Sequence, residues 1–240
     1  MSNRRPLIAA IVAGGLALGA ASLAVLYFVA FAGSSPQKLA LSSPTPSAAG
    51  STANPSSTPA AGTWTVTSGS QAGYRVREQL ASLAAPSDAV GRTSAVTGTV
   101  TLAQSASGDS VTAASVTVDV SKLSSDQSRR DQRIHSQGLE SDRYPTATFQ
   151  LTTPIALPAT AASGQAINVS ATGALTVHGV TKTVTIPIAA RLTGSKIELV
   201  GSITFPFSQF GMTPPSIGGF VSVQDNATME FQILLAPPGA

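Results

Sequence analysis

Apolar and polar positions alternate most regularly between Gly173 and Leu192. Leu175 and Val177 alternate with Thr176 and His178; further on, Val184, Ile186 and Ile188 alternate with Thr183, Thr185 and Pro187. A period of two gives each arm one apolar face, so the stretch predicts a β-hairpin. Its reversal falls around His178–Lys182, where Gly179 can supply the positive φ that a tight turn needs. A lone hairpin is marginal in water, so both arms must belong to a larger sheet.

The same alternation recurs along the chain after Gly62. Trp64 and Val66 begin a first strand, and Tyr74 and Val76 mark a second. Further strands are predicted over Val96–Leu102, Val111–Val120, Thr146–Thr152, Ala166–Val177, Thr183–Leu192, Ile197–Phe205 and Ala227–Leu235, with Phe220–Val223 as a short partner. Two stretches break the pattern. The run Glu78–Ala85 has helical spacing at Leu80, Leu83 and Ala84 before Pro86, which predicts a short helix and loop over Glu78–Arg92. The run Ser124–Glu140 is polar, with Ser124 or Ser125 as N-cap, and predicts a second short helix. Short strands joined by polar, Gly-containing connections argue for antiparallel pairing, and a sheet of eight or nine strands must close or split to hide its edges. One apolar face on most strands favours a barrel over a sandwich.

Upstream of Gly62 the pattern is different. Leu7–Ala32 carries no charge, and 26 residues at about 1.5 Å each make roughly 39 Å of helix against a hydrocarbon core of about 30 Å. Arg4 and Arg5 precede it, so the positive-inside bias places residues 1–6 in the cytoplasm, 7–32 across the membrane and the remainder outside. Ala30-Phe31-Ala32 also has the form of a signal-peptide cleavage site. The localisation expected is therefore a single-pass cell-membrane protein with an extracytoplasmic C-terminal domain, or a secreted or periplasmic protein if that segment is removed. From Gly33 to Gly62 all residues but Gln37, Lys38, Leu39, Leu41 and Asn54 are Ser, Thr, Pro, Ala or Gly. Such a segment buries too little apolar surface to offset its ordering entropy, so residues 33–62 read as a disordered linker. At about 3.1 Å per residue it spans up to roughly 90 Å.

Charge narrows the partners. Of 14 Lys and Arg, Arg4, Arg5 and Lys38 lie before residue 63, and the remaining 11 balance the 11 Asp and Glu. The basic surplus belongs to the N-terminal arm, and no basic stripe with interleaved aromatics points to nucleic acid. Cysteine is absent, which removes disulfides, thiol catalysis and zinc-finger spacing.

The chain from Trp64 through Val116-Thr117-Val118-Asp119, Arg130-Asp131, Tyr144-Pro145, Ala147-Thr148-Phe149 and Gly173-Ala174-Leu175-Thr176-Val177-His178-Gly179-Val180-Thr181-Lys182 resembles the YceI-like family, over about residues 63–236. It departs from the family in having Gly138–Arg143 before Tyr-Pro, where an aromatic pair and an acid are common. The resemblance implies an all-β, eight-stranded antiparallel, lipocalin-like barrel with one or two short helices, whose elongated apolar cavity takes a polyisoprenoid or similar long-chain lipid and needs no cofactor.

Independently of the family, the inward set read from the alternation is Phe149, Leu151, Leu175, Val177, Ile186, Ile188, Ile203, Phe205, Met229 and Phe231, together with Ile233, and no member is charged. These are the ligand-binding residues expected. Two outcomes remain open: an apolar guest among these side chains, or side chains that meet and fill the barrel. In the second, the domain is a non-catalytic envelope-stress or adhesion module binding proteins through its loops. Homodimerisation is also left open. His135 near Asp131, or His178 at the hairpin, would have to anchor any esterase-like chemistry, but no G-x-S-x-G elbow accompanies them, and no metal motif is present. Arg129–Arg133 reads as a solvated helix face or a contact to lipid phosphate. Phe205, Phe207, Phe210 and Phe220 read as core closure or as an apolar lip.

Overall fold

The computed structural model describes residues 35–43, 59–80, 86–106, 108–215 and 221–239. The chain divides into two units, residues 1–36 and 37–240. Only Ser35 and Pro36 of the first are described, so the expected segments at 1–6 and 7–32 lie outside the described residues. Among the described residues no helix is long and apolar enough to cross a membrane.

The second unit is a closed antiparallel barrel. Its strands are β1 (Gly62–Val66), β2 (Gln71–Leu80), β3 (Ser87–Thr93), β4 (Val96–Ala103), β5 (Ser110–Asp119), β6 (Thr146–Leu151), β7 (Ile155–Ala156), β8 (Ile167–Val177), β9 (Val180–Thr193), β10 (Lys196–Phe205) and β11 (Val221–Ala236). They pair in the order β1-β4-β5-β6-β8-β9-β10-β11, and β1 meets β11 again at Thr65↔Ala236 and Val66↔Leu235, which closes the ring. The long β11 carries β1 at its C-terminal end and β2 over the rest, while β3 continues β4 along β2. Two broken strands therefore act as single staves, and the barrel has eight, with the short β7 lying against β5. Closure satisfies the backbone groups that open sheet edges would leave unpaired.

Of the short helix and loop expected over Glu78–Arg92, the described residues form strand instead. Glu78, Gln79 and Leu80 extend β2 against Val223, Ser222 and Val221, and Ser87–Thr93 is strand β3. Residues 81–85 lie outside the described residues. Helical spacing at three small or aliphatic positions is a weak local preference, and β11 supplies a long partner whose ladder outweighs it. The two strands expected over Phe220–Val223 and Ala227–Leu235 are one, interrupted by a register shift between Val223 and Ala227. The second expected helix forms as α1 (Ser128–Ser136). Its N-cap is Gln127 rather than Ser124 or Ser125; the Ser125 hydroxyl turns instead to the Asp131 carboxylate at 2.7 Å.

Outward positions of the barrel carry threonines that hydrogen-bond in cross-strand pairs, Thr172–Thr185 at 2.9 Å, Thr176–Thr181 at 2.8 Å and Thr204–Thr228 at 2.8 Å. Inward positions gather into two apolar clusters. One closes the end that carries the β8–β9 hairpin and includes Val177, Val184, Phe205, Phe207, Phe210 and Met212. The other lies toward the opposite end around Trp64, Val100, Leu102, Ile233 and Leu235. Trp64 is almost fully buried, and its indole N–H donates to the carbonyl of Ala60 at 2.9 Å, which meets the need of a buried indole for a polar partner.

Candidate functional site

Between the two clusters the barrel holds a cavity of about 170 Å³. A single water requires about 10–15 Å³ of such space, so the side chains do not fill the interior. Eight of the ten residues expected to face it, Phe149, Leu151, Leu175, Ile186, Ile188, Ile203, Met229 and Phe231, line this cavity, as does Ile233. Val177 and Phe205 do not. Both belong to the closing cluster, where Phe205 packs edge-on against Phe210 with ring centroids 4.6 Å apart. The reason is position along the barrel axis: alternation tells inward from outward but not one end from the middle.

The cavity also uses residues the inward set lacked. Val100 and Leu102 of β4 and Val116 and Val118 of β5 alternate as clearly as the hairpin does, so their signal was present in the sequence. Leu157 and Ala161 come from the β6–β8 connection and carry no periodic signal; with Leu192 and Ile197 they form the cavity wall at the end away from the hairpin. Arg191 and Glu230 also border the cavity, but their charges point away from it. Arg191 donates to Glu198 at 3.3 Å, and Glu230 is paired with Arg92 at 2.8 Å and with Arg75 at 3.4 Å, all on outward strand positions. No described charged group aims into the space. It offers a guest dispersion and water exclusion, and no directional polar contact.

Phenylalanine rings shape the wall. Gly201 of β10 faces inward opposite Phe231, and a Cβ built there would fall 2.5 Å from the ring's Cζ. The ring thus occupies the space that a side chain at position 201 would take.

The hairpin end is sealed. Phe207–Phe210 forms a 3-10 turn whose aromatic rings are buried, and Gly211 in the left-handed region ends it. Of the two readings of this aromatic group, core closure holds for Phe205, Phe207 and Phe210; Phe220 lies outside the described residues. His178 belongs to this seal. Its Nδ1 donates to the carbonyl of Phe210 at 3.2 Å, and its ring packs on Tyr144 with centroids 4.5 Å apart.

His135 Nδ1 lies 2.6 Å from the buried Ser141 hydroxyl, and the Asp142 carboxylate approaches that same nitrogen at 3.9 Å. A nucleophile–base–acid relay needs the two partners on opposite ring nitrogens, so these three residues are not arranged as one. Arg130 is held by Glu78 at 2.7 Å and by Asp126, which ties α1 to the end of β2. Its charge is therefore spent within the protein, while Arg129 is exposed. Nearby, burial pushes the Tyr74 hydroxyl well above its ordinary pKa; Arg130 opposes the shift, and Asp131 and Glu78 reinforce it. Tyr74 is neutral at any physiological pH. No cluster of His, Asp or Glu suited to a metal occurs among the described residues.

Residues 64–235 match the model of the YceI-like domain. Among solved structures, a polyisoprenoid-binding domain from Saccharophagus degradans implicated in plant cell wall breakdown is similar, with 13% identity, a TM-score of 0.54 and coverage of 75% of this chain and 100% of that one. BcnA from Burkholderia cenocepacia is 19% identical, with a TM-score of 0.49 and coverage of 67% and 95%. The Campylobacter jejuni YceI protein is 14% identical, with a TM-score of 0.45 and coverage of 58% and 79%. No curated protein matches the chain in sequence.

Proposed function

The chain belongs to the YceI-like domain family, and from that premise we propose that its barrel binds a long-chain apolar lipid of the polyisoprenoid type and sequesters or carries it by burial rather than by chemistry. The observation that carries the reading is the cavity of about 170 Å³, walled by aliphatic and aromatic side chains with every neighbouring charge turned outward. Such a space repels a polar guest, because an unpaired polar group there would lose its water without compensation. Each methylene entering it gains about 0.8 kcal/mol, so ten gross roughly 8 kcal/mol before the cost of ordering the ligand. A polar end group has no partner inside and must keep its contact with water. We further propose that the domain works outside the cytoplasm, tethered to the cell membrane through the apolar run at residues 7–32. The Ser141–His135–Asp142 arrangement supports a binding protein rather than a hydrolase.

The test is native mass spectrometry of the protein purified from its own host, followed by organic extraction. A stoichiometric long-chain isoprenoid is expected, and Ile188→Trp, which fills the cavity without adding charge, should reduce it at least tenfold while the protein stays folded. A ligand-free mass together with no uptake of added polyprenol would overturn the reading.

A further inference from the structure

Glu198 occupies an outward position on β10, between Ile197 and Leu199, which line the cavity. An outward carboxylate ordinarily meets water. This one is only 2% exposed, because Gln37–Ser43 lies over it. The Ser42 backbone N–H donates to Glu198 Oε1 at 2.9 Å, the Ser42 hydroxyl donates to the same oxygen at 2.8 Å, and Gln232 Nε2 donates to it at 2.7 Å. Arg191 donates to the other oxygen at 3.3 Å and also to the Ser42 carbonyl, which closes a ring of contacts. Farther back along the segment, Gln232 donates to the Ala40 carbonyl at 3.2 Å, and Arg92 donates to the Gln37 carbonyl.

Side chains from β3, β9, β10 and β11 therefore read three carbonyls and one N–H of a single extended segment. Burial by itself would raise the Glu198 pKa, but the hydrogen bonds from Ser42, Gln232 and Arg191 outweigh it and hold the carboxyl below its ordinary value. A buried carboxylate with four donors is a built site. The segment it holds belongs to the stretch whose composition predicts a disordered linker, and contains Lys38, Leu39 and Leu41, where the Ser/Thr/Pro/Ala tract is interrupted.

We propose that Gln37–Ser43 is an intramolecular strap, that Arg92, Arg191, Glu198 and Gln232 form its receptor on the barrel wall, and that the linker consequently has two lengths. The functional consequence rests on the tether reading above. With the strap seated, the chain between the apolar run and the strap is residues 33–36, a contour of at most roughly 12 Å at about 3.1 Å per residue. With it released, the contour from the apolar run to residue 58 is at most roughly 80 Å on the same scale. Ordering seven residues opposes a small number of charge-assisted hydrogen bonds, so the two states are near enough in free energy to exchange.

Lys38 is the only trypsin site between Arg5 and Arg75, so strap seating can be read from cleavage after Lys38 in the full chain in detergent. The reference is a synthetic peptide of residues 33–48. Cleavage in the full chain should be at least tenfold slower than in the peptide. Ser42→Pro removes both Ser42 donors without touching a barrel residue, and should bring the rate within about twofold of the peptide while the barrel stays folded; Glu198→Ala should do the same from the receptor side. Cleavage of the wild-type chain at the peptide's rate, or undiminished protection in Ser42→Pro, would sink the strap. The readout requires neither lipid nor membrane, so its failure leaves the carrier reading intact, and an empty cavity leaves the strap intact.

Discussion

Gly201 has no side chain to pack, and a glycine inside a strand ordinarily weakens it. Here its absence of a Cβ is what seats Phe231, and the Pro187 carbonyl lies only 2.9 Å from where a Cβ would go. Gly201→Ala must therefore push the Phe231 ring toward the cavity. The expected cost is about 1–3 kcal/mol of stability by overpacking, with a parallel loss of polyprenol capacity. Urea unfolding and ligand uptake of Gly201→Ala, Phe231→Leu and the double variant would check it. The double variant should recover part of the loss, with a coupling of about 1 kcal/mol, and only part, because the Pro187 carbonyl does not move. The sequence announced a glycine at this place but not its purpose, since the ring that needs it is thirty residues away on the next strand.

The β8–β9 hairpin shows what one element owes to its neighbours. Val177 pairs with Val180, so the reversal is a two-residue turn at His178 and Gly179, shorter than the five-residue reversal that the sequence suggests. Both turn residues have positive φ, 52° and 72°, the requirement of a type I′ turn. A histidine in that region is strained. Its contacts to the Phe210 carbonyl and the Tyr144 ring hold it there. Gly179 has a second constraint, since a Cβ on it would meet the Tyr144 ring at 2.7 Å. Tyr144 and His178-Gly179, distant in sequence, are thus two halves of one packed corner. Gly179→Ala should destabilise the domain by about 1–3 kcal/mol through backbone strain and overpacking together; Tyr144→Leu should remove part of that penalty. Thermal unfolding of the two single variants and the double variant measures the coupling, and additive losses would refute the shared corner.

For the molecule as a whole, the carboxylates of the outer wall make stability depend on acid. Glu198 is depressed as described. At Asp88 burial likewise pushes up, but hydrogen bonds from Arg77 and Arg75 prevail and lower its pKa. A carboxyl depressed in the folded state contributes stability above its unfolded value, about 4 for these residues, and loses that contribution as pH falls through the lower folded value. The urea midpoint should therefore be nearly flat from pH 7 to about pH 5 and decline below about pH 4. In Glu198→Gln the decline should be shallower, and the strap of the wild-type protein should loosen over the same range. An acid profile identical in the two proteins would show that Glu198 contributes nothing to it.

Local information sufficed where a residue's role follows from its neighbours in the chain. The period of two placed β4, β5, β6, β8, β9 and β10 near their observed bounds, and it separated an apolar interior from an outer face of threonines, because a pleated strand sends successive side chains to opposite sides whatever surrounds it. The lack of charge among the inward residues was legible for the same reason. Three matters needed tertiary structure. Glu78–Leu80 joined a strand because β11 is long enough to pair with it. Val177 and Phe205 became part of a plug rather than of the cavity because depth along the barrel axis is set by closure. Glu198, an outward carboxylate by every local rule, became buried because Ser42, 156 residues away in sequence, donates two hydrogen bonds to it. Each depends on which distant segment arrives as a partner, and a hydrogen bond or a close contact between distant segments leaves no period in either one.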